Sequence, residues 1–200
     1  MPVENITIGI TGGIGSGKSI VSRILRCNGI FVYDCDSEAK YLMKNTPYLK
    51  RDLISFLGKE IYLNNGELNR KYLAQRLFSD SNLRTKVNII VHEAVRKDIL
   101  SKREKIKGWF FIESAILATA KLDSYCDKIW VVTASLQERI KRISKRDCLS
   151  DDEILKRIES QNQEISFLPW DKIVMIENNS DNQLLLKVLN LINIPVCSSC

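Results

Sequence analysis

The chain has 200 residues, of which 44% are hydrophobic and 27% are charged, and its formal net charge is +6. This size and composition predict a globular protein with one sizeable core, or a core with a small inserted lobe. No apolar run approaches the roughly 20 residues that span a bilayer, and Met1–Asn5 lack the basic and apolar regions of a signal peptide. We therefore expect a cytoplasmic protein with no membrane partner. Its one histidine, His92, excludes a metal site built from several histidines.

The first predicted strand ends in a phosphate-binding loop. The apolar run Ile6–Ile10 predicts a buried strand, and the apolar residues of segment 20–25 have helical spacing. Between them, Gly12–Ser19 fit the pattern G-x-x-x-x-G-K-[ST]. In this pattern glycines let successive backbone N–H groups turn onto a phosphate, and the helix that follows adds the positive end of its dipole. The sequence therefore predicts a site for a nucleoside triphosphate.

The residues of this loop have distinct predicted roles. Lys18 would reach the terminal phosphates, and the hydroxyl of Ser19 would ligate Mg²⁺. The predicted nucleotide-binding residues are those whose backbone lines the loop: Gly13, Ile14, Gly15, Ser16, Gly17, Lys18 and Ser19.

Strands and helices alternate along the rest of the chain. Further strands are predicted at Ile30–Tyr33, Trp109–Ile112, Lys128–Thr133 and Lys172–Ile176, with helical sequence over 37–107, 135–161 and 184–192. Apolar strands that alternate with helices favour a parallel sheet covered on both faces. We predict an α/β fold with a three-layer P-loop NTPase core, a five-stranded parallel sheet, a helical substrate lobe and a helical lid.

The helical stretch between the second and third strands is too long for a simple crossover, so it predicts an added lobe. We assign 1–36, 108–134 and 162–200 to the nucleotide-binding core, 37–107 to the lobe and 135–161 to the lid. Ligands of such sheets bind outside the carboxyl ends of the strands. This rule places the glycine loop, Asp34, Asp36 and Glu113 around one crevice.

Two aspartates follow the second predicted strand. Residues two apart in a strand share a face, so the carboxylates of Asp34 and Asp36 are expected to point into the same crevice. One of them would orient an attacking hydroxyl and accept its proton, or hold Mg²⁺ through water. The alternative is that Asp36 caps a helix that begins near Ser37. The position at the edge of the sheet favours the functional role.

A basic segment follows the fourth strand. Arg139, Arg142 and Arg146 are spaced i, i+3, i+7 and therefore lie along one helical face. Such a row is either a solvated face or, beside a phosphate loop, part of a lid whose guanidinium groups clamp phosphates and neutralise transition-state charge. Glu113, at the end of the third strand, is either a metal-associated carboxylate or a strand-end residue in solvent.

The cysteines give no strong signal. Cys197 and Cys200 have the spacing of a redox or zinc pair, but the sequence contains no second pair with this spacing. We interpret them as part of a tail.

Several motifs together resemble the dephospho-CoA kinase family. The glycine loop, with a Thr-Gly-Gly start at Thr11, resembles the family signature, and Asp34-Cys35-Asp36 resembles its Asp-x-Asp. The matching motifs of the lobe, lid and last strand are Asn65–Phe78, Asn88 with His92, Gln137 with Arg142, Arg146-Asp147 with Gln161, and Asn178-Asn179. The resemblance covers residues 6–190. The chain departs from the family pattern in two places. Segment 113–119 lacks the usual proline and has Thr119 where a glutamate is usual, and Glu93 follows His92 where a proline is usual.

The resemblance implies a reaction and its participants. The γ-phosphoryl group of ATP would pass to the ribose 3′-hydroxyl of dephospho-CoA, with ATP and Mg²⁺ held at the glycine loop. The catalytic residues implied are Asp36, Lys18, Arg142 and Arg146, with Asp36 orienting and deprotonating the hydroxyl. Asn178 would contact the nucleotide, and Thr11, Asp36 and His92 would contact the acceptor, which the lobe would bind. For His92, packing within a helix is the alternative.

Other functions remain open from the sequence. One is a kinase on the same scaffold that phosphorylates a nucleoside or nucleotide. Another is a nucleotide-dependent switch, although the chain contains no Asn-Lys-x-Asp guanine motif. The basic charge suits an enzyme with polyanionic ligands, and we expect no nucleic-acid partner. The sequence does not determine the oligomeric state.

Overall fold

The structure is a computed structural model that describes residues 5–147, 150–179 and 183–192. The chain divides into two compact units, of which one spans Asp34–Lys105 and the other comprises the residues on either side of that span. Cys197 and Cys200 lie outside the described residues. In the described part of the chain, no helix combines the length and hydropathy that a membrane span requires.

The larger unit is built on a parallel sheet of five strands, in the order β2-β3-β1-β4-β5. The strands are β1 (Ile6–Thr11), β2 (Val32–Asp34), β3 (Trp109–Glu113), β4 (Lys128–Thr133) and β5 (Ile173–Glu177). The predicted α/β fold with a five-stranded parallel sheet flanked by helices is confirmed. The first strand lies at the centre, where Ile8 is paired with Phe111 on one side and Lys128 on the other.

Two helices cover one face of this sheet. They are α1 (Lys18–Cys27) and α8 (Leu184–Leu191), which contact each other. Apolar side chains of both helices and of the strands form one core, which includes Ile8, Ile10, Val21, Leu25, Phe111, Trp130, Val132, Leu184 and Val188. On the opposite face Gly9 leaves room for the segment after β3, because a Cβ there would lie 2.6 Å from Cδ2 of Leu117.

The segment predicted as a lid contains two helices, α6 (Leu136–Asp147) and α7 (Asp151–Ser166). The second helix continues beyond residue 161, where the lid was predicted to end. Ser150 begins it with a capping box, in which the Ser150 side chain accepts from the Glu153 N–H and the Glu153 carboxylate accepts from the Ser150 N–H. Ile143, Ile154 and Ile158 form a small separate core between the two helices.

The smaller unit is helical. Its helices are α2 (Cys35–Asn45), α3 (Pro47–Leu57), α4 (Arg70–Ser79) and α5 (Ser81–Lys105). The other three helices all pack against α5, and the buried apolar residues include Leu49, Leu53, Leu57, Ile61, Val87, Val91, Val95 and Ile99. A turn at Asn65-Gly66, with Tyr62 bridged to Leu68, precedes α4. No α4 side chain is buried, and Phe78 on this helix is 93% exposed.

Candidate active site

The glycine loop joins the carboxyl end of β1 to the amino end of α1. Gly17 is the N-cap of α1 with φ of 99°, a conformation that residues other than glycine rarely adopt. A Cβ at this position would also collide with Nδ2 of Asn178. Lys18 and Ser19 begin the helix, so their backbone N–H groups belong to its unbonded first turn. This arrangement is suited to binding an anion.

Lys18 lies across its own loop. Its Nζ donates to the carbonyl oxygen of Gly12 at 2.5 Å and lies 3.4 Å from that of Gly13. The ammonium group is therefore held at the start of the loop, beside the backbone that would surround a phosphate.

The three arginines of α6 have different partners. The Nε of Arg139 donates to the carbonyl oxygen of Ile14 at 2.8 Å. Arg142 donates through Nη1 to the carbonyl of Gly15 at 3.3 Å, and it also pairs with Glu138 at 3.5 Å. Arg139 and Arg142 therefore contact the glycine loop and do not form a solvated row.

Arg146 pairs with a neighbouring residue of α6 and not with the glycine loop. It forms two hydrogen bonds of 2.7 Å with the carboxylate of Asp147, and its side chain is 62% exposed. This pairing raises the pKa of Arg146 and lowers the pKa of Asp147, because each charge stabilises the other. The row of arginines predicted from spacing thus has two members on the loop and one in an exposed ion pair.

Ile14 is a loop residue that both α6 and α7 contact. Its N–H donates to Oε1 of Gln161 on α7 at 2.6 Å, and its carbonyl accepts from Arg139 on α6. Its side chain packs against the small core formed by Ile143, Ile154 and Ile158. Both polar backbone groups and the side chain of one loop residue are therefore bound by the two helices.

Asn178 supports the loop from the end of β5. Its side chain is buried, its Nδ2 donates to the carbonyl of Ser16 at 2.8 Å, and its backbone N–H donates to Thr133 at 2.8 Å. Its own carbonyl accepts from Nη2 of Arg142 at 2.9 Å. The side chain thus holds the loop backbone, and direct contact with a nucleotide stays a prediction.

The second strand and the helix after it differ from the prediction. Because α2 begins at Cys35, Asp36 lies in a helix and not in a strand. The carboxylate of Asp34 caps this helix by accepting from the N–H groups of Asp36 and Ser37, each at 3.1 Å. The prediction that the two carboxylates share a strand face is wrong, and so is the alternative that Asp36 is the N-cap. The physical reason is that the first turn of a helix leaves N–H groups unbonded, and Oδ1 of Asp34 reaches two of them.

Capping leaves the two aspartates in different states. Asp34 is engaged by the backbone and by the Ser37 hydroxyl, which donates to its Oδ2 at 2.9 Å. Asp36 is exposed in the first turn of α2, and its carboxylate has no hydrogen bond or ion pair with any described residue. Of the two, Asp36 has the carboxylate that can bind a ligand without breaking a cap.

His92 lies on α5 within the helical unit and is half-buried. Burial lowers its pKa, and the positive charge of Arg96 lowers it further. The imidazole is therefore neutral at pH 7, and a neutral imidazole can both donate and accept a hydrogen bond.

Two further candidates lie at the carboxyl ends of the central strands. Glu113 at the end of β3 has a side chain that is 13% exposed and lies 4.0 Å from Arg26, so it is not a residue in open solvent. Thr11 at the end of β1 is fully buried, and its hydroxyl has no hydrogen-bond partner among the described residues.

The donor groups fit a Mg²⁺ ion that is held mainly by a nucleotide. Ser19 is exposed in the first turn of α1, where its hydroxyl can serve as a ligand. The described residues include no group of three or more His, Cys, Asp or Glu side chains that could hold a metal. Mg²⁺ commonly takes one or two protein ligands and completes its shell with phosphate oxygens and water.

Comparison with known proteins identifies the family. The sequence model of the dephospho-CoA kinase family matches residues 6–183. A dephospho-CoA kinase of Porphyromonas gingivalis is 44% identical over 162 residues, which are 80% of each chain. The chain belongs to the dephospho-CoA kinase family. Members of this family are ATP-dependent kinases.

Solved structures show the same fold. The chain is similar to TT1252 from Thermus thermophilus, with a TM-score of 0.78, 29% identity and coverage of 94% of this chain and 96% of that one. A dephospho-CoA kinase from Campylobacter jejuni has the same fold, with a TM-score of 0.66, 21% identity and coverage of 94% and 95%.

The sequence of this family member did not predict one buried carboxylate contact. Glu164 on α7 is 7% exposed, and its carboxylate accepts from the N–H of Ala118 and, at 2.5 Å, from the hydroxyl of Thr119. Thr119 is the position where the resemblance places a glutamate. The carboxylate at this loop therefore comes from a distant helix, and no local pattern distinguishes Glu164 from the other acidic residues of α7.

Proposed function

We propose that this protein transfers the γ-phosphoryl group of ATP to the ribose 3′-hydroxyl of dephospho-CoA, yielding CoA and ADP. The observation that carries the proposal is a phosphate loop contacted by lid arginines in a chain whose family match extends over residues 6–183. A match of this length includes the lobe and the lid as well as the loop.

The nucleotide would bind at the glycine loop. The backbone N–H groups from Gly13 to Ser19 are the donors for phosphate oxygens, and Lys18 supplies a positive charge at the start of the loop. Arg142 and Arg146 would neutralise charge as the phosphoryl group moves, which requires Arg146 to exchange Asp147 for the nucleotide. Mg²⁺ bound by Ser19 and the phosphates would neutralise charge on the β- and γ-phosphate oxygens.

The acceptor would bind at the helical unit, in line with the predicted lobe at 37–107. A surface cavity of about 400 Å³ is lined by Ser37, which follows Asp36 in the chain, and by Glu38, Tyr41 and Lys102. The exposed carboxylate of Asp36 can accept a hydrogen bond from a hydroxyl, and neutral His92 can contact polar groups of the acceptor. Thr11 is a further predicted acceptor contact.

Asp36 would act by positioning as much as by proton transfer. The 3′-oxygen forms a bond to the γ-phosphorus, the bond between that phosphorus and the bridging oxygen of ADP breaks, and the hydroxyl proton passes to the Asp36 carboxylate. Because the transition state of phosphoryl transfer is loose, the nucleophile needs little activation by a base. A weakly basic carboxylate is therefore sufficient, provided that it orients the hydroxyl and accepts the released proton, which an amide cannot do.

We also propose that the protein works in the cytoplasm. Both substrates in this proposal are soluble phosphate compounds, and a net charge of +6 favours their encounter with the protein.

An acceptor panel tests the function. The protein would be incubated with Mg-ATP and dephospho-CoA, AMP, adenosine or CoA, whose 3′-position is already phosphorylated, and products would be identified by mass spectrometry and phosphorus NMR. We expect CoA and ADP with dephospho-CoA alone, and no product from a Lys18→Ala variant. Phosphorylation of adenosine or AMP in place of dephospho-CoA would refute the proposed acceptor.

A further inference from the structure

One buried nitrogen of the lid has no bonding partner. Arg139 uses Nε to bind the carbonyl of Ile14 at 2.8 Å, but its Nη2 is buried and makes no hydrogen bond to any described residue. A guanidinium group carries five N–H donors and no acceptor, so an unbonded buried Nη2 leaves two strong donors unused. A buried donor of this kind is unfavourable and calls for an explanation.

The position of this nitrogen suggests what it binds. The Arg139 guanidinium occupies the space that a Gly13 side chain would fill. Lys18 also reaches Gly13, with Nζ 3.4 Å from its carbonyl oxygen. Two cationic groups therefore converge on one residue of the phosphate loop, an arrangement that an anion between them would stabilise. Burial also lowers the pKa of Arg139.

The other two arginines of α6 differ from Arg139 because each forms an ion pair. Arg142 pairs with Glu138 and Arg146 pairs with Asp147. Arg139 forms no ion pair in the described part of the chain. Among these three arginines, Arg139 is thus the one whose charge no carboxylate of the described residues balances.

We propose that Arg139 is a substrate-contacting residue, whose Nη2 donates to an oxygen of the terminal phosphates of ATP while Nε holds the Ile14 carbonyl. This inference rests on the proposed function, since it takes ATP as the substrate. We assign the terminal phosphates because Arg139 and Lys18 both lie beside Gly13. The lysine of this motif reaches those phosphates. Arg139 transfers no proton and forms no covalent bond in this role.

The second bond of Arg139 links phosphate binding to the shape of the loop. The Ile14 carbonyl is held by Arg139, its N–H by Gln161, and its side chain by the core between α6 and α7. When Nη2 binds a phosphate, the same guanidinium group fixes the nucleotide and the Ile14 peptide together. Nucleotides that lack terminal phosphates should gain nothing from Arg139.

Titration calorimetry with ATP, ADP and AMP tests this assignment without an acceptor. The variants are Arg139→Ala, Arg139→Lys and Arg139→Gln, with Lys141→Ala as a control that removes an exposed charge from the same helix. We expect Arg139→Ala to weaken ATP binding by about tenfold or more, and AMP binding by less than about twofold. Lysine should restore part of the ATP affinity because it keeps the charge, whereas glutamine should not. Lys141→Ala should leave the binding of both nucleotides within about twofold of the parent.

Several results would overturn the assignment. One is an ATP affinity of Arg139→Ala within about twofold of that of the parent. Another is an equal loss of affinity for ATP and AMP. A third is full recovery of ATP affinity in Arg139→Gln, because glutamine can bind the Ile14 carbonyl without a charge. Circular dichroism would confirm that each variant is folded before titration. If the parent binds ATP but does not phosphorylate dephospho-CoA, the proposed acceptor fails and Arg139 is still judged by the titrations. If the parent binds no ATP, both proposals fail.

Discussion

Asp36 is the residue whose removal should affect turnover most selectively. Its carboxylate is exposed and unbonded in the described structure, while its backbone N–H is held by Asp34. We expect Asp36→Asn to lower kcat by about 100-fold or more and to leave the dissociation constant for ATP within about twofold of the parent. Steady-state kinetics and calorimetry measure the two quantities.

Asp52→Asn is a suitable control, since Asp52 is another exposed aspartate of the helical unit. It should leave both quantities unchanged. If Asp36→Asn turns over at the rate of this control, Asp36 does not orient the acceptor hydroxyl.

His92 should make stability depend on pH. Burial and Arg96 lower its pKa from the ordinary value of 6.5, so below that pH the unfolded chain binds a proton that the folded chain does not. The stability associated with neutral His92 is complete above pH 6.5 and decreases as the pH falls. Urea unfolding at pH 7.5 and 5.5 should therefore show a smaller loss of stability on acidification for His92→Gln than for the parent. Equal losses in the two proteins would refute this account.

At the scale of elements, α7 binds the loop after β3 through one buried carboxylate. The Glu164 carboxylate binds the N–H of Ala118 and the hydroxyl and N–H of Thr119. Glu164→Gln replaces an acceptor oxygen by an NH₂ group that faces these donors. We expect it to lower the free energy of unfolding by about 1–3 kcal/mol, the range for a buried polar group that loses its partner.

Glu159→Gln is the matched change on the same helix, because Glu159 is exposed. Its effect on the free energy of unfolding should be within about 0.5 kcal/mol. Urea denaturation of both variants measures the difference. Equal losses of unfolding free energy in the two variants would mean that the removed negative charge, and not the hydrogen bonds of Glu164, accounts for the effect.

Element boundaries show where periodic patterns were sufficient and where they failed. Four of the five strands lie within one residue of their predicted bounds, because each is a continuous apolar run next to polar residues. The second strand failed because it has three residues and its last residue is also a helix cap. Strand alternation was applied to Asp36, where the backbone is already helical. Periodicity does not distinguish the end of a short strand from the start of the helix that follows it.

At the scale of the whole molecule, the two units should respond to different ligands. Hydrogen exchange followed by mass spectrometry should show that ATP slows exchange in the glycine loop, α6 and α7. Dephospho-CoA should slow exchange within residues 34–105, the helical unit. Lys18→Ala should lose the protection by ATP and keep the protection by dephospho-CoA. Dephospho-CoA protection confined to the larger unit would refute the assignment of the acceptor to the helical one.

The sequence alone determined the family, the phosphate loop and the parallel sheet of this protein. Each follows from residues close together in the chain, either as a motif such as Gly12–Ser19 or as a run of apolar residues. Separate motifs for the loop, the lobe and the lid then identified the dephospho-CoA kinase family, which the comparisons confirm.

Only the tertiary structure decided which side chains bind one another around the loop. Arg139 and Gln161 bind Ile14 from 125 and 147 residues away, and Glu164 binds Thr119 from 45 residues away. Contacts at such separations have no periodicity, and they depend on how helices dock on the sheet and which buried donors remain to be bonded. Spacing placed three arginines on one helical face. Packing then directed Arg139 and Arg142 to the loop and left Arg146 paired with Asp147.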